Sequence, residues 1–245
     1  MANADRDAPD VKPWGYLATF AWAFVAFLLG QIAALAALLW WRHGNINSLL
    51  DASYDGALVT LSVLVLNPVT IAVLMLAVRL KRANQAQYLA LVWTQARHVT
   101  LGIVGIVILI ALTDALLFLS GRALVTPFQL QSYTTAAAEG WLPIMSVATI
   151  IMAPAGEEIM FRGFLFRGFA RSERSTWPAI VVISLLWAGL HFQYDWTGIL
   201  QIFAAGLFLG WLRWRSGSTL LTLLLHALFN LEGTTETVLQ VHFFS

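Results

Sequence analysis

Residues 16–41 of this chain read YLATFAWAFVAFLLGQIAALAALLWW and contain no charged side chain. About 20 apolar residues in a helix are enough to cross the hydrocarbon core of a bilayer, which is about 30 Å thick. A secretory signal has a cationic start and a shorter apolar stretch, whereas residues 1–13 carry charges of both signs. We therefore expect this run to be an uncleaved membrane helix.

Similar apolar runs recur along the chain, which is 59% hydrophobic and 11% charged. A soluble domain carries roughly 25% charged residues. The runs do not alternate as barrel strands do, and lipid offers no partner to bare backbone groups. The sequence therefore predicts an all-α, polytopic transmembrane helix bundle of about seven spans, with eight as the alternative. The predicted spans are residues 16–41, 57–78, 99–119, 142–166, 177–193, 196–214 and 217–232.

Positive charge is distributed unequally between the two sides of this predicted bundle. The loops on one side contain only Arg42 and Arg122, so 12 of the 14 lysines and arginines lie on the other side. Cytoplasmic loops accumulate Lys and Arg, and the N-terminus is therefore predicted to be cytoplasmic. The segment 81–98, which follows the second span, is predicted to be an interfacial helix. No basic tract or phosphate-binding loop indicates a nucleic-acid partner.

Ionisable or strongly polar side chains inside the predicted spans are functional candidates, because each charge costs about 2.5–3.5 kcal/mol to insert. Asp114, near the outer end of the third span, is a lone charge that either reaches the interface or pairs with Arg122. Gly206 and Gly210 in the sixth span are predicted to form a helix-packing surface. The remaining candidates are Glu157, Glu158, Arg162, His191, His226 and Asn230.

The two adjacent glutamates are predicted to have different roles. Neighbouring residues on a helix point about 100° apart, so Glu157 and Glu158 face different surroundings. Glu158 and Arg162 are spaced i,i+4 and are expected to form an ion pair. Glu157 has no such partner on its own helix, which leaves it available as a general base. The alternative is that both glutamates only line a packed polar seam.

The histidines offer two kinds of chemistry. His226 and Asn230 lie four residues apart and share one helix face, so both could donate hydrogen bonds to an oxyanion. Glu157 and His191 would then hold and deprotonate a water. In the alternative, Glu157, His191 and His226 are three zinc ligands with water in the fourth position. We favour water activation without a metal or other cofactor, because the H-E-x-x-H signature is absent.

Three short stretches carry a resemblance to a known family. Residues 157–162 read EEIMFR, residues 187–191 read WAGLH and residues 226–230 read HALFN. They are similar to the ordered motifs E-E-x-x-x-R, F-x-x-x-H and H-x-x-x-N of the CPBP intramembrane proteases, which include CAAX prenyl-proteases and bacteriocin-processing or abortive-infection proteins. The resemblance covers about residues 140–232. Tryptophan replaces phenylalanine at position 187, which affects the pocket shape and retains an aromatic ring.

The resemblance implies an intramembrane endopeptidase in a bacterial cytoplasmic membrane, acting near the cytoplasmic side on a membrane-associated protein or peptide. Residues 141–245 would form the catalytic bundle, and residues 1–140 an N-terminal membrane-embedded half with three spans and the interfacial helix. By this resemblance, Glu157 and His191 would activate the water. His226 and Asn230 would stabilise the oxyanion. Glu158, Arg162 and Trp187 would support the site.

Two other functions remain open at this point. The first is a non-catalytic immunity or scaffold protein of the same fold. The second is a proton-coupled transporter that uses Glu157 and the histidines as a relay, although transporters usually contain inverted repeats and no repeat is evident here.

The catalytic interpretation also makes a geometric demand. At 1.5 Å per residue, Glu157 and His191 lie at different depths unless the fourth span is long and tilted or the fifth span begins below the membrane interface. We therefore expect that span to continue to about Ala170, and the two side chains to lie within about 10 Å of each other, because a shared water needs hydrogen-bond reach.

Overall fold

The apolar runs are helical. The computed structural model describes residues 12–45 and 54–244, and the secondary structure of these residues contains no strand. The polar segment 1–11, including Arg6, lies outside the described residues. Nine helices occur within the described ranges: α1 (Tyr16–Trp41), α2 (Gly56–Leu80), α3 (Gln85–Tyr88), α4 (Ala96–Leu119), α5 (Pro127–Ala138), α6 (Leu142–Phe169), α7 (Glu173–Gly189), α8 (Trp196–Ser216) and α9 (Thr219–Phe243).

Each predicted span contains a helix, but the fifth, residues 177–193, is helical only as far as Gly189, so His191 lies just outside it. Five helices of the described residues are long and apolar enough to cross a membrane, namely α1, α2, α4, α6 and α8. The other two predicted spans are α7, with 17 residues, and α9, whose second half contains Glu232 and Glu236. At 1.5 Å per residue α7 is about 25 Å long, slightly less than the hydrocarbon thickness. The protein is an integral membrane helix bundle.

The helix α6 is longer than the predicted fourth span and contains 28 residues, ending at Phe169. This confirms the expectation that it continues to about Ala170. Its segments Ala148–Met152 and Ile159–Leu165 are π-helical, a geometry that often occurs at functional sites. Similarly, α9 continues 11 residues past the predicted end at residue 232, so the prediction for that boundary is too short.

The two ends of the bundle differ in charge. We call one the basic end; its loops are residues 81–95, 170–172 and 217–218. The opposite, distal end has the loops 42–45, 120–126, 139–141 and 190–195. Aromatic rings meet within each end: Trp177 lies 6.1 Å from Trp214 at the basic end, and Trp41 lies 5.4 Å from Trp141 at the distal end.

The prediction of an interfacial helix for residues 81–98 is wrong for most of that segment. Only α3 is helical before α4 begins at Ala96. The intervening chain instead binds the start of α9: the Thr219 hydroxyl donates to the Leu89 carbonyl at 2.6 Å, and the Thr219 N–H donates to the Ala90 carbonyl at 2.8 Å. The Leu89 side chain is fully buried. The carbonyls of Leu89 and Ala90 therefore accept hydrogen bonds from α9 instead of from a following turn of helix.

The helix α5, at the distal end, was not among the predicted elements. Its sequence signal is a capping box, in which Thr126 and Gln129 each bond the other's backbone N–H, with Pro127 at the first helical position. The helix packs against α2 so closely that a Cβ on Gly56 would lie 2.1 Å from the Ser132 carbonyl oxygen. It thereby forms a wall at the distal end of the bundle.

Small residues allow several helices to approach closely. Gly206 and Gly210 of α8 pack against Ser184 and Ile180 of α7, which confirms the predicted packing surface. Gly156, directly before the two glutamates of α6, lies against Asn67 of α2. A Cβ at Gly156 would be 1.8 Å from the Asn67 Oδ1 atom. The position of Glu157 therefore depends on this close contact.

We expect Gly156→Ala to lower the free energy of unfolding by about 1–3 kcal/mol, the usual cost of overpacking a close contact. Thermal unfolding in detergent measures the effect. The control is Gly189→Ala, because no heavy atom lies within 4 Å of a Cβ at that position. Equal melting temperatures for the two variants would contradict the proposed role of the Gly156 contact.

Candidate functional site

The side chains of Glu158 and Arg162 lie on the buried face of α6. They form the predicted ion pair, with Arg162 Nη1 2.9 Å from Glu158 Oε1. The Glu158 side chain is 0% exposed and that of Arg162 is 1% exposed. A charged carboxylate without a counter-charge is very costly in such surroundings. The guanidinium of Arg162 therefore allows Glu158 to remain ionised inside the bundle.

Glu157 points away from this pair. Its side chain is 24% exposed, in contrast to the fully buried Glu158. Its Oε2 atom lies 3.9 Å from His191 Nε2 and 4.0 Å from His226 Nε2, well within the 10 Å that the catalytic interpretation requires. Glu157 also accepts a hydrogen bond from the indole N–H of Trp187. It lacks a partner on its own helix, as predicted, but has one on α7.

The ring of His191 is oriented by the helix that precedes it. His191 follows the end of α7, and its Nδ1 atom lies 2.8 Å from the Trp187 carbonyl oxygen. A carbonyl only accepts hydrogen bonds, so Nδ1 carries the hydrogen. In the neutral ring Nε2 then has a free lone pair, and this lone pair is on the side of Glu157.

His226 is oriented by the second glutamate. Its Nδ1 atom lies 3.0 Å from Glu158 Oε1, and the residue is 3% exposed. The ionised carboxylate accepts the Nδ1 hydrogen, so the Nε2 atom of neutral His226 also carries a lone pair toward Glu157. The Glu158–Arg162 pair therefore does more than compensate burial, because it determines which nitrogen of His226 faces the site.

Asn230 lies one helical turn beyond His226 on α9. Its side-chain amide donates to the Thr149 carbonyl at 2.8 Å, within the π-helical segment Ala148–Met152 of α6. An asparagine amide has two N–H donors. One of them thus connects α9 to α6, and one remains for another acceptor.

Trp187 is 2% exposed and contacts several charged or titratable side chains of the site besides Glu157. The Arg162 guanidinium carbon lies 4.3 Å from the centre of its ring. The rings of His191 and His226 meet it edge to face at 5.4 and 5.1 Å. Phenylalanine at this position could fill the space but could not donate to Glu157. The replacement therefore changes the hydrogen bonding of the site as well as its shape.

These side chains line a cavity of about 300 Å³ that is bordered by Glu157, Trp187, His191, His226 and Asn230. Sequence reasoning missed Tyr194, which also lines the cavity and whose ring stacks on His191 at 6.2 Å. Burial, followed by the negative charge of Glu157, raises the pKa of Tyr194 to about 12. It is therefore a neutral phenol near pH 7. Its signal in the sequence was its place three residues after the histidine of a motif.

A cluster of three carboxylates lies beside the same cavity. Glu232 and Glu236 of α9 lie beside Asp114 of α4, and oxygen atoms of the three carboxylates are all within 4.8 Å of one another. Of the two alternatives for Asp114, the pairing with Arg122 is not found among the described residues, because Arg122 instead binds Asp195 at 2.9 Å. In the sequence, the i,i+4 spacing of Glu232 and Glu236 was the feature that could have indicated this cluster.

The zinc alternative requires Glu157, His191 and His226 to bind one ion. Two imidazole Nε2 lone pairs and a carboxylate are suitable ligand types, and in each histidine the other nitrogen donates to an oxygen, as in many metal sites. However, Glu157, His191 and His226 are not a group whose ligand atoms all lie within 4.8 Å of one another. The residues fit zinc in kind, and the histidines would have to approach each other to bind it.

Comparison with known proteins agrees with the three motifs. Residues 139–231 match the family model of Rce1-like, type II CAAX prenyl endopeptidases, which confirms the CPBP resemblance. A protein of Escherichia coli described as an uncharacterized 24.3 kDa protein is 36% identical over 123 residues, or 48% of this chain and 54% of that protein. The chain thus spans about half the length of this relative. No solved structure matches the chain.

Breaking the buried ion pair should be far more damaging than breaking an exposed one. We expect Arg162→Met to lower the free energy of unfolding by about 3–5 kcal/mol, because Glu158 loses its counter-charge. Arg122→Met removes the exposed pair with Asp195, and we expect a loss of about 0–1 kcal/mol. Thermal unfolding of both variants in the same detergent provides the comparison. Similar losses of unfolding free energy in the two variants would show that the buried Glu158–Arg162 pair stabilises the fold no more than the exposed pair does.

Proposed function

We propose that this protein is an intramembrane endopeptidase that hydrolyses a peptide bond of a membrane-associated protein or peptide, because residues 139–231 match the family model of Rce1-like CAAX prenyl endopeptidases. One observation carries the proposal: the Glu157 carboxylate and the Nε2 atoms of His191 and His226 converge within 4.0 Å beside a cavity. Ionisable groups at membrane depth are costly and usually functional.

Water activation is assigned to Glu157 and His191. Their facing atoms are 3.9 Å apart, so a water at about 2.8 Å from each would be within hydrogen-bond reach of both. The carboxylate takes the proton as the water oxygen attacks the substrate carbonyl carbon, and His191 holds the water through its Nε2 lone pair. Glu157 then returns the proton to the departing amine.

Stabilisation of the tetrahedral oxyanion is assigned to His226 and Asn230. Since Nδ1 of His226 already donates to Glu158, its Nε2 atom can donate only when the ring is a doubly protonated imidazolium. The amide hydrogen of Asn230 that does not bind Thr149 supplies the second donor.

A zinc-dependent form of the same reaction is the second candidate. It is favoured by the two Nε2 lone pairs on the side of Glu157, which are the ligand atoms that such a site requires. When bound, zinc would supply a polarised water at neutral pH. Glu157, His191 and His226 would hold the ion, and Glu158 would orient His226 through its other nitrogen.

The non-catalytic alternatives explain less of the geometry. A scaffold or immunity protein of this fold has no need for a carboxylate beside a cavity, and a proton-coupled transporter usually contains inverted repeats. Both alternatives predict the same result in a cleavage assay: replacing Glu157 would not change the amount of hydrolysed peptide.

We expect Glu157→Gln to abolish cleavage of membrane-anchored peptides by the purified protein in detergent, because the amide cannot take a proton from water. Peptide products are measured by mass spectrometry. Glu173→Gln is the control, since Glu173 is an exposed carboxylate at the start of α7, at the basic end. Equal cleavage by wild type and Glu157→Gln would exclude Glu157 from catalysis and leave the scaffold interpretation.

The same assay with a chelator separates the two chemical forms. Cleavage that is indifferent to the chelator supports water activation by Glu157 and His191. Cleavage that is lost on chelation and restored by added zinc supports the three-ligand site.

We expect Trp187→Phe to remain folded but to reduce the rate constant of cleavage by about 10- to 100-fold. Phenylalanine fills most of the indole volume but removes the hydrogen bond to Glu157, and a hydrogen bond to a charged group contributes roughly 1.5–3 kcal/mol. Single-turnover rates and thermal unfolding are measured together. Trp214→Phe, at the basic end, is the control. An unchanged rate for Trp187→Phe would show that the indole N–H does not position the carboxylate.

A further inference from the structure

Tyr194 lies directly beside His191 and has no part in the mechanism proposed above. It belongs to the loop between α7 and α8 and borders the same cavity as Glu157. Its backbone N–H donates to the His191 carbonyl at 3.0 Å, which fixes the turn that joins the two residues. Its ring stacks on the imidazole, with the ring centres 6.2 Å apart and the planes inclined by 30°. The phenol is therefore held next to the group that binds the water.

Packing on its other sides also fixes the ring of Tyr194. Phe128 of α5 meets this ring edge to face at 5.6 Å. Gly198 of α8 leaves room for the side chain, because a Cβ at Gly198 would lie only 3.0 Å from the Tyr194 Cβ. Residues of two further helices thus hold the phenol, and its hydroxyl is placed by the fold before a substrate arrives.

The hydroxyl of Tyr194 differs from those of other buried tyrosines. Such hydroxyls usually have a hydrogen-bond partner: that of Tyr88 accepts from the Trp14 N–H at 3.2 Å, and that of Tyr133 lies 3.1 Å from His242 Nε2. Within the described part of the chain, the Tyr194 hydroxyl has no such partner. Phenylalanine would serve equally well for packing. The hydroxyl is therefore available to a molecule in the cavity.

The groups around Glu157 include many acceptors and few free donors. The carboxylate accepts, and each neutral histidine of the site directs an Nε2 lone pair toward it, because each Nδ1 donates elsewhere. The indole N–H of Trp187 is already bound to Glu157. Attack on a peptide carbonyl places negative charge on its oxygen, which requires donors. One amide hydrogen of Asn230 is free for this task, and the hydroxyl of Tyr194 is a second donor.

The phenol keeps its hydrogen near pH 7. Burial, followed by the negative charge of Glu157, raises the pKa of Tyr194 to about 12. Since the charge of Glu157 acts on the phenol, the two groups are near each other across the cavity.

We infer that the Tyr194 hydroxyl is a catalytic hydrogen-bond donor that binds the carbonyl oxygen of the scissile peptide bond and, with Asn230, stabilises the oxyanion. This inference rests on the proposed endopeptidase function. As the water oxygen bonds to the carbonyl carbon, an electron pair moves onto the carbonyl oxygen, and the water proton passes to Glu157. The phenol keeps its own hydrogen throughout. When the C–N bond breaks, the C=O bond forms again and Glu157 protonates the departing amine. With this donor present, the reaction does not require an imidazolium at His226.

Tyr194→Phe removes the hydroxyl and keeps the ring between His191 and Phe128. We expect kcat to fall about 100-fold, the usual loss when one oxyanion donor is removed. We expect KM and the melting temperature to stay as in wild type, because the donor binds the transition state rather than the ground state. Cleavage of a membrane-anchored peptide by the purified protein in detergent measures both constants.

Tyr54→Phe is the matched control. The Tyr54 ring also meets Phe128 edge to face, at 5.5 Å, but Tyr54 does not line the cavity. We expect this variant to keep the kcat of wild type. A wild-type kcat for Tyr194→Phe would overturn the inference. If Tyr194→Leu then loses activity, the ring orients His191 and the hydroxyl has no catalytic role.

A transition-state mimic separates a hydrogen bond to the oxyanion from an indirect effect on His191. In this peptide a phosphinate replaces the scissile amide and places charged oxygens where the oxyanion forms. We expect Tyr194→Phe to weaken inhibition by the phosphinate about as much as it lowers kcat, because such mimics report transition-state binding. A lowered kcat with unchanged inhibition would overturn the inference.

The two proposals fail in different ways. If wild type cleaves no peptide, the endopeptidase function fails, and this inference fails with it. If wild type and Tyr194→Phe cleave equally while Glu157→Gln is inactive, only the inference fails.

Discussion

The ion pair between Glu158 and Arg162 is the interaction on which the rest of the site depends. Both side chains are almost completely buried, and separating two charges in such surroundings costs several kcal/mol. The carboxylate orients His226, while the guanidinium lies against the face of Trp187. Trp187 in turn donates to Glu157. One buried pair thus connects three helices and orders the groups around the exposed carboxylate.

The adjacent glutamates divide their tasks because of helix geometry. Successive side chains diverge by about 100°, so one carboxylate faces the packed interior and its neighbour faces the cavity. Gly156, next to Glu157, brings α6 against Asn67 of α2, and the amide of Asn230 holds α9 against the π-helical part of the same helix. The depth and rotation of Glu157 are therefore controlled from several sides, as a preorganised site requires.

The sequence by itself determined the helical class, the approximate spans, the charge asymmetry and the Glu158–Arg162 pair, because apolar length and i,i+4 spacing are local properties. The three short motifs also identified the residues that converge. Only the tertiary structure decided that Trp187 donates to Glu157, that Asn230 binds Thr149 and that Asp114 joins Glu232 and Glu236. It also replaced an interfacial helix by a loop bound to Thr219. These features depend on the relative depth and rotation of helices that are distant in sequence, which no local pattern encodes.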